Sequence, residues 1–102
     1  MDIEDLKNKI VSTFKPFDPE KIILFGSLAR GEADEVSDID VIVIYQSDKG
    51  LLDRMKELYM SWSIPKAVDI LAYTPAEFDK MMNESSFVAD AVKEGEVLYE
   101  RS

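Results

Sequence analysis

Lys21-Ile22-Ile23-Leu24-Phe25-Gly26-Ser27-Leu28-Ala29-Arg30-Gly31 is the stretch from which the rest of the chain can be read. Its first five residues are an apolar run between a turn and a glycine, the pattern of a strand buried on both faces. Gly26 ends that strand. From Ser27 to about Gly31 the chain starts as a short helix or turn, a polar loop runs through Glu35, and Ser37 to Tyr45 form a second strand. Alternation along this second strand puts Asp38, Asp40, Ile42 and Ile44 on one face and Ile39, Val41, Val43 and Tyr45 on the other.

Upstream, Ile3, Leu6, Ile10, Val11 and Phe14 recur at helical spacing, which predicts a helix from residue 2 to about 15, capped by Asp2 and closed by Pro16. The turn Asp18-Pro19-Glu20 follows. Downstream of a polar connection from Gln46 to Gly50, the apolar residues Leu51, Leu52, Met55, Leu58, Tyr59 and Trp62 mark a second amphipathic helix, stopped by Pro65. Lys66 to Tyr73 is a third strand carrying Asp69. Thr74-Pro75-Ala76-Glu77 is a capping box with proline at the first helical position, opening a helix from 75 to about 82. Another helix from about 86 to 94 stops at Gly95, and Val97-Leu98-Tyr99 is a short last strand. The expected architecture is α/β in the order α-β-β-α-β-α-α-β, a mixed sheet covered by helices in one domain over residues 1–102, with no repeat or linker.

Composition narrows the chemistry. With 46% hydrophobic residues the 102-residue chain has material for one core and is too apolar to be read as disordered. Twelve Lys+Arg against 21 Asp+Glu leave a net charge of −9, which argues against capture of nucleic acid or of anionic membrane. The absence of cysteine excludes disulfides, thiolate zinc sites and thiol nucleophiles, and the absence of histidine excludes Ser-His-Asp machinery. An enzyme built from this chain must work with carboxylates, hydroxyls, Lys, Arg and a hard metal ion. The acidic start Met1-Asp2-Ile3-Glu4-Asp5 is unlike a signal peptide, and the longest apolar stretch, Val41 to Tyr45, is too short to span a bilayer, so a cytoplasmic location is expected.

Three features can carry chemistry, and each alone also has a plain structural explanation. Phe25-Gly26-Ser27 reads as a strand-to-helix turn with Ser27 as the cap, or as a turn that offers backbone N–H groups and a hydroxyl to a phosphate. Ser37-Asp38-Ile39-Asp40 reads as a polar strand entry, or as two carboxylates pointing the same way that one metal ion can bridge. Asp69, an acid between Val68 and Ile70-Leu71, must be exposed at a sheet edge, paired, or metal-bound. Together, a third acid on a neighbouring strand would complete an oxygen cage suited to Mg²⁺, and two such ions are the usual device for in-line displacement at phosphorus. Other phosphate and metal motifs fail: Glu32 and Ala33 stand where a P-loop needs Lys and Ser/Thr, no G-x-G-x-x-G occurs, and Asp38-Ile39-Asp40 is trailed by strand residues where an EF-hand needs loop ligands.

The composite Phe25-Gly26-Ser27-x-x-Arg30-Gly31, Ser37-Asp38-Ile39-Asp40-Val41 and Val68-Asp69-Ile70 resembles the DNA polymerase beta-like nucleotidyltransferases over nearly the whole chain. Within them it looks like the minimal nucleotidyltransferases found as antitoxin partners of HEPN-domain proteins. The resemblance implies that Gly26 and Ser27 hold the β- and γ-phosphates of a nucleoside triphosphate, with Arg30 supporting the turn. It implies that Asp38 and Asp40 ligate two Mg²⁺ ions, and that Asp69 binds the catalytic ion and helps deprotonate an acceptor hydroxyl. Leu28 departs from the pattern, since many relatives carry arginine there. The implied reaction moves AMP from ATP to a hydroxyl on a HEPN-type toxin, with no direct nucleic-acid or membrane binding; the alternative is a non-catalytic module that neutralises its partner by contact. Antibiotic nucleotidyltransferases share the core but normally bring a further domain to hold their acceptor.

Overall fold

The computed structural model describes residues 2–31 and 38–101. Helix α1 (Ile3–Phe14) begins where its cap is expected: the Asp2 carboxylate accepts the Asp5 backbone N–H at 2.9 Å, and the apolar stripe buries Leu6, Ile10 and Phe14. Pro16 lies in a 3₁₀ turn over Lys15–Phe17 that ends on Asp18 in the left-handed region. Strand β1 (Lys21–Phe25) runs into a one-turn helix, α2 (Gly26–Ala29), and β2 covers Ile39–Ile44. Helix α3 (Leu51–Ser61), strand β3 (Val68–Tyr73), helices α4 (Pro75–Glu84) and α5 (Ser86–Glu94) and strand β4 (Glu96–Glu100) complete the order. The expected eight elements are thus present, α2 is the short helix or turn expected from Ser27, and the 3₁₀ turn is added. Strand β3 starts two residues later than expected, because the chain bends at Ile64 to Lys66, around Pro65. The expected loop through Glu35 and the strand start at Ser37 lie outside the described residues.

The sheet is mixed, in the order β3-β2-β1-β4. β1 pairs antiparallel with β2 and with β4, and β2 pairs parallel with β3. Strand alternation then builds two cores. Ile22, Leu24, Val41, Val43, Ile70 and Ala72 pack against Leu6, Ile10, Phe14 and Leu58, on the face covered by α1 and α3. Ile23, Phe25, Ile42 and Ile44 pack against Ala91 of α5, with Leu71, Tyr73 and Phe78 of α4 around them. Central strands buried on both faces explain why β1 and β2 read as apolar runs. Among the described residues no helix is long and apolar enough to cross a membrane.

Two details pin the helices to the sheet. Gly95 ends α5 with φ −83, so it is not needed for a left-handed turn. A Cβ there would lie 2.7 Å from both the Leu24 and the Ala91 carbonyl oxygens, so glycine is required by the close approach of the helix end to β1. At the opposite end of β3 from Asp69, Arg54 of α3 is buried at 2% exposure. Its guanidinium donates to the carbonyls of Lys49 at 2.7 Å and Ala72 at 3.3 Å and to Glu77, whose carboxylate also accepts the Thr74 N–H in the α4 capping box. One side chain therefore ties the β2–α3 connection, the end of β3 and the start of α4. Arg54→Ala would strand two carbonyls and open a void, so we expect a loss of about 2–4 kcal/mol in urea unfolding, with Glu77→Gln much milder because Glu77 is half exposed.

Candidate active site

The parallel register sets Asp40 directly beside Asp69, and the antiparallel register sets Asp40 opposite Phe25, the residue before Gly26. Gly26, just past the end of β1, therefore lies at the same level as Asp40 and Asp69 on the two neighbouring strands, and both acids fall on the face covered by α4 and α5. Asp69 is exposed on the edge strand, as an acid in an otherwise apolar strand requires, and Asp38 precedes β2 as an exposed residue. Burial holds the Asp40 carboxyl above the ordinary carboxylate range; the charges of Asp69 and Asp38 push it the same way, as does a hydrogen bond with Asp69, and Arg30 opposes them. Two carboxyl groups in contact repel unless a proton or a divalent cation offsets their charge, and an oxygen-only donor set of this kind suits Mg²⁺. Among the described residues no three acids stand close enough together to hold a metal ion, so the structure brings Asp40 and Asp69 together and does not complete a three-acid group with Asp38.

The turn at the end of β1 differs from the capped-helix reading. Its N-cap is Phe25, which makes no side-chain capping bond, and Ser27 sits inside the turn. The Ser27 hydroxyl is thus not consumed as a cap. With only four residues, α2 contributes a short row of N–H groups and little macrodipole. Gly26 has φ +77, and a Cβ there would run into the Asp40 carboxylate, with Asp40 Cγ at 3.2 Å. The glycine thus serves the carboxylate as well as the turn. Leu28, at the position where arginine was the common alternative, packs with Ala29 against the α1/α3 core and anchors α2. Arg30 reaches Glu94 of α5 at 3.5 Å.

The sequence reading missed the opposite wall. A cavity of about 420 Å³ opens between the α2 turn and α5, lined by Gly26, Arg30 and Asp40 on one side and by Phe87, Asp90 and Glu94 on the other. The signal was present: Val88 and Ala91 form the buried stripe of α5, and Phe87 falls off it.

With this geometry in view, comparison with known proteins assigns the chain. The family of polymerase beta nucleotidyltransferases matches residues 8–102, and the chain belongs to it. It is an enzyme family, and the compact fold fits its minimal members. Two proteins of Methanocaldococcus jannaschii that carry the name protein adenylyltransferase are 35% identical, one over 83% of this chain and 96% of its own length, the other over 78% of each. Among solved structures, a nucleotidyltransferase from Sulfolobus solfataricus matches 96% of this chain and 86% of its own with a TM-score of 0.60 at 20% identity. A toxin–antitoxin complex with AMP-PNP matches 94% of this chain and 74% of its own with a TM-score of 0.63 at 24% identity. At these identities the two structures speak for the polymerase beta-like fold.

Two outcomes follow from the crowding around Asp40. A carboxyl whose folded pKa is raised binds its proton more tightly in the native state than in the unfolded chain. It therefore lowers stability as pH climbs from the ordinary aspartate value of 3.8 through the raised folded value, and the full cost persists above both. In thermal unfolding with EDTA, Asp40→Asn should lack that part of the slope and be at least as stable as wild type at neutral pH; a clear drop would show that Asp40 holds the fold together. Gly26→Ala should instead lower stability by about 1–2 kcal/mol through its left-handed backbone, and displace Asp40 as well.

Proposed function

We propose that the chain transfers AMP from ATP to a hydroxyl group of a partner protein, and that the partner is a HEPN-type toxin which this transfer inactivates. The observation that carries the reading is the meeting of Gly26, Asp40 and Asp69 at one level of the sheet in a member of this family. The names of the methanococcal relatives and the toxin–antitoxin neighbour support it.

In this reading the backbone N–H groups at Gly26 and Ser27, with the Ser27 hydroxyl, hold the β- and γ-phosphates, and Arg30 steadies the turn from the α5 side. Asp38, Asp40 and Asp69 would hold two Mg²⁺ ions, which when bound offset the charge of the phosphates and of the departing pyrophosphate. Asp69, at the open edge of the sheet, takes the proton of the acceptor hydroxyl. That oxygen attacks the α-phosphorus, the bond from the α-phosphorus to the bridging oxygen breaks, and pyrophosphate leaves with the electron pair. A catalytic face open at its edge suits an acceptor carried on another protein, which supplies the missing wall. The −9 charge suits a basic partner such as an RNA-cleaving toxin, and a transferred AMP would add a bulky anion near that partner's own site.

Intact-mass measurement tests this directly. The purified partner incubated with this protein, Mg²⁺ and ATP should gain whole AMP units, and Asp38→Asn or Asp40→Asn should reduce the rate more than about 100-fold. If wild type and both variants leave the mass unchanged yet all neutralise the partner, the protein acts by contact alone.

A further inference from the structure

The wall of the cavity contributed by α5 has a composition that the transfer chemistry does not account for. Phe87 is 62% exposed although it borders a cavity, and the apolar needs of α5 are already met by Val88 and Ala91. Its ring meets Phe25 edge to face, with centroids 6.1 Å apart and planes at 86°. One turn further along the same helix face stands Asp90, and beyond it Glu94, which pairs with Arg30. An aromatic ring held at a fixed angle beside a carboxylate is a poor surface for phosphate, which the acid repels. It is a good one for a flat ring that bears an amino group.

We propose that the α5 wall recognises the nucleobase of the donor, with the Phe87 ring stacking on the base and the Asp90 carboxylate accepting a hydrogen bond from its exocyclic amine. The proposal rests on the nucleotidyl-transfer reading of the same site. The layout across the sheet assigns the cavity to the donor. The phosphate turn and Asp40 line it, whereas Asp69 lies on the edge strand and is not among its lining residues. Acceptor and donor therefore approach from opposite sides of Asp40, and the space beside Phe87 falls on the donor side. The volume suits a nucleotide-sized ligand, since small-molecule sites commonly span about 300–1,000 Å³. Glu94 is held by Arg30, which leaves Asp90 as the acceptor nearest to Phe87 along the helix. Stacking tolerates any base, so the carboxylate supplies the choice: it favours adenine, whose edge carries an amine, over hypoxanthine, which carries an oxygen there.

Calorimetric titration of the whole chain in Mg²⁺ with ATP, inosine triphosphate and inorganic tripolyphosphate separates the possibilities. Phe87→Ala should weaken ATP binding by about ten-fold and leave tripolyphosphate binding unchanged. Wild type should prefer ATP to inosine triphosphate, and Asp90→Ala should remove that preference. Both side chains are exposed, so circular dichroism should show the variants folded. If Phe87→Ala binds ATP as wild type does, the base assignment is wrong; unchanged ATP affinity with impaired transfer to the partner would give the ring to the acceptor protein. A preference for ATP that survives in Asp90→Ala would overturn the role of that carboxylate. If wild type binds neither ATP nor tripolyphosphate, the nucleotidyl-transfer reading falls, and the base surface falls with it.

Discussion

Parallel pairing of β2 with β3 is the constraint on which the rest of the molecule turns, because it forces the Asp40 and Asp69 carboxyl groups together at one level of the sheet. Two like charges held side by side repel, and the raised pKa of Asp40 records burial together with that repulsion. The raised pKa relieves part of this by favouring the neutral form of Asp40. The rest is opposed by the register itself: a one-residue slip would bring Asp40 and Ile42 to the opposite face and expel Val41 and Val43 from the α1/α3 core. Hydrophobic burial on both faces thus enforces an electrostatic arrangement that carboxylates alone would not adopt.

A parallel pair cannot be joined by a tight turn, and the crossover through α3 has to be anchored at both ends. Arg54 supplies the anchor at the end of β3 remote from the carboxylates. At the other end, the Tyr59 hydroxyl accepts the Ile70 N–H at 2.9 Å, satisfying a donor of the edge strand immediately after Asp69. Neither residue touches the proposed chemistry, yet both keep β3 in register with β2. Residues that position the site are therefore spread well beyond the residues that form it.

Most of the fold was legible because its signals are local. The capping boundaries at Asp2 and Thr74, the Gly95 stop and the two-faced alternation of β2 each depend on residues a few positions apart. The residues left the coincidence of Asp40 with Asp69 open as one option and the family resemblance implied it, since no periodicity dictates that two strands some thirty residues apart lie side by side. Arg54 was invisible for a different reason. A charged residue on an amphipathic helix reads as solvent-facing, and its burial depends on acceptors at Lys49, Ala72 and Glu77 that converge only in three dimensions. The reason for Gly26 was half seen: the turn was read from the sequence, but the Asp40 side chain that forbids a Cβ comes from the neighbouring strand.

The same distinction explains why the two walls of the site differ in kind. The wall made of Gly26, Ser27, Asp40 and Asp69 is built on strand ends, where the register fixes each residue against the next and small changes propagate into the sheet. The wall made of Phe87 and Asp90 sits on the exposed side of a helix whose packing is settled by other residues, Val88 and Ala91 on one face and Gly95 at its end. Side chains there can change at small cost to the fold, chiefly the edge-to-face contact of Phe87 with Phe25. Under the proposed roles, a site divided in this way would keep its phosphate and metal chemistry constant while the α5 wall varies, with selectivity for the group carried on the phosphates set by the helix and reactivity by the sheet.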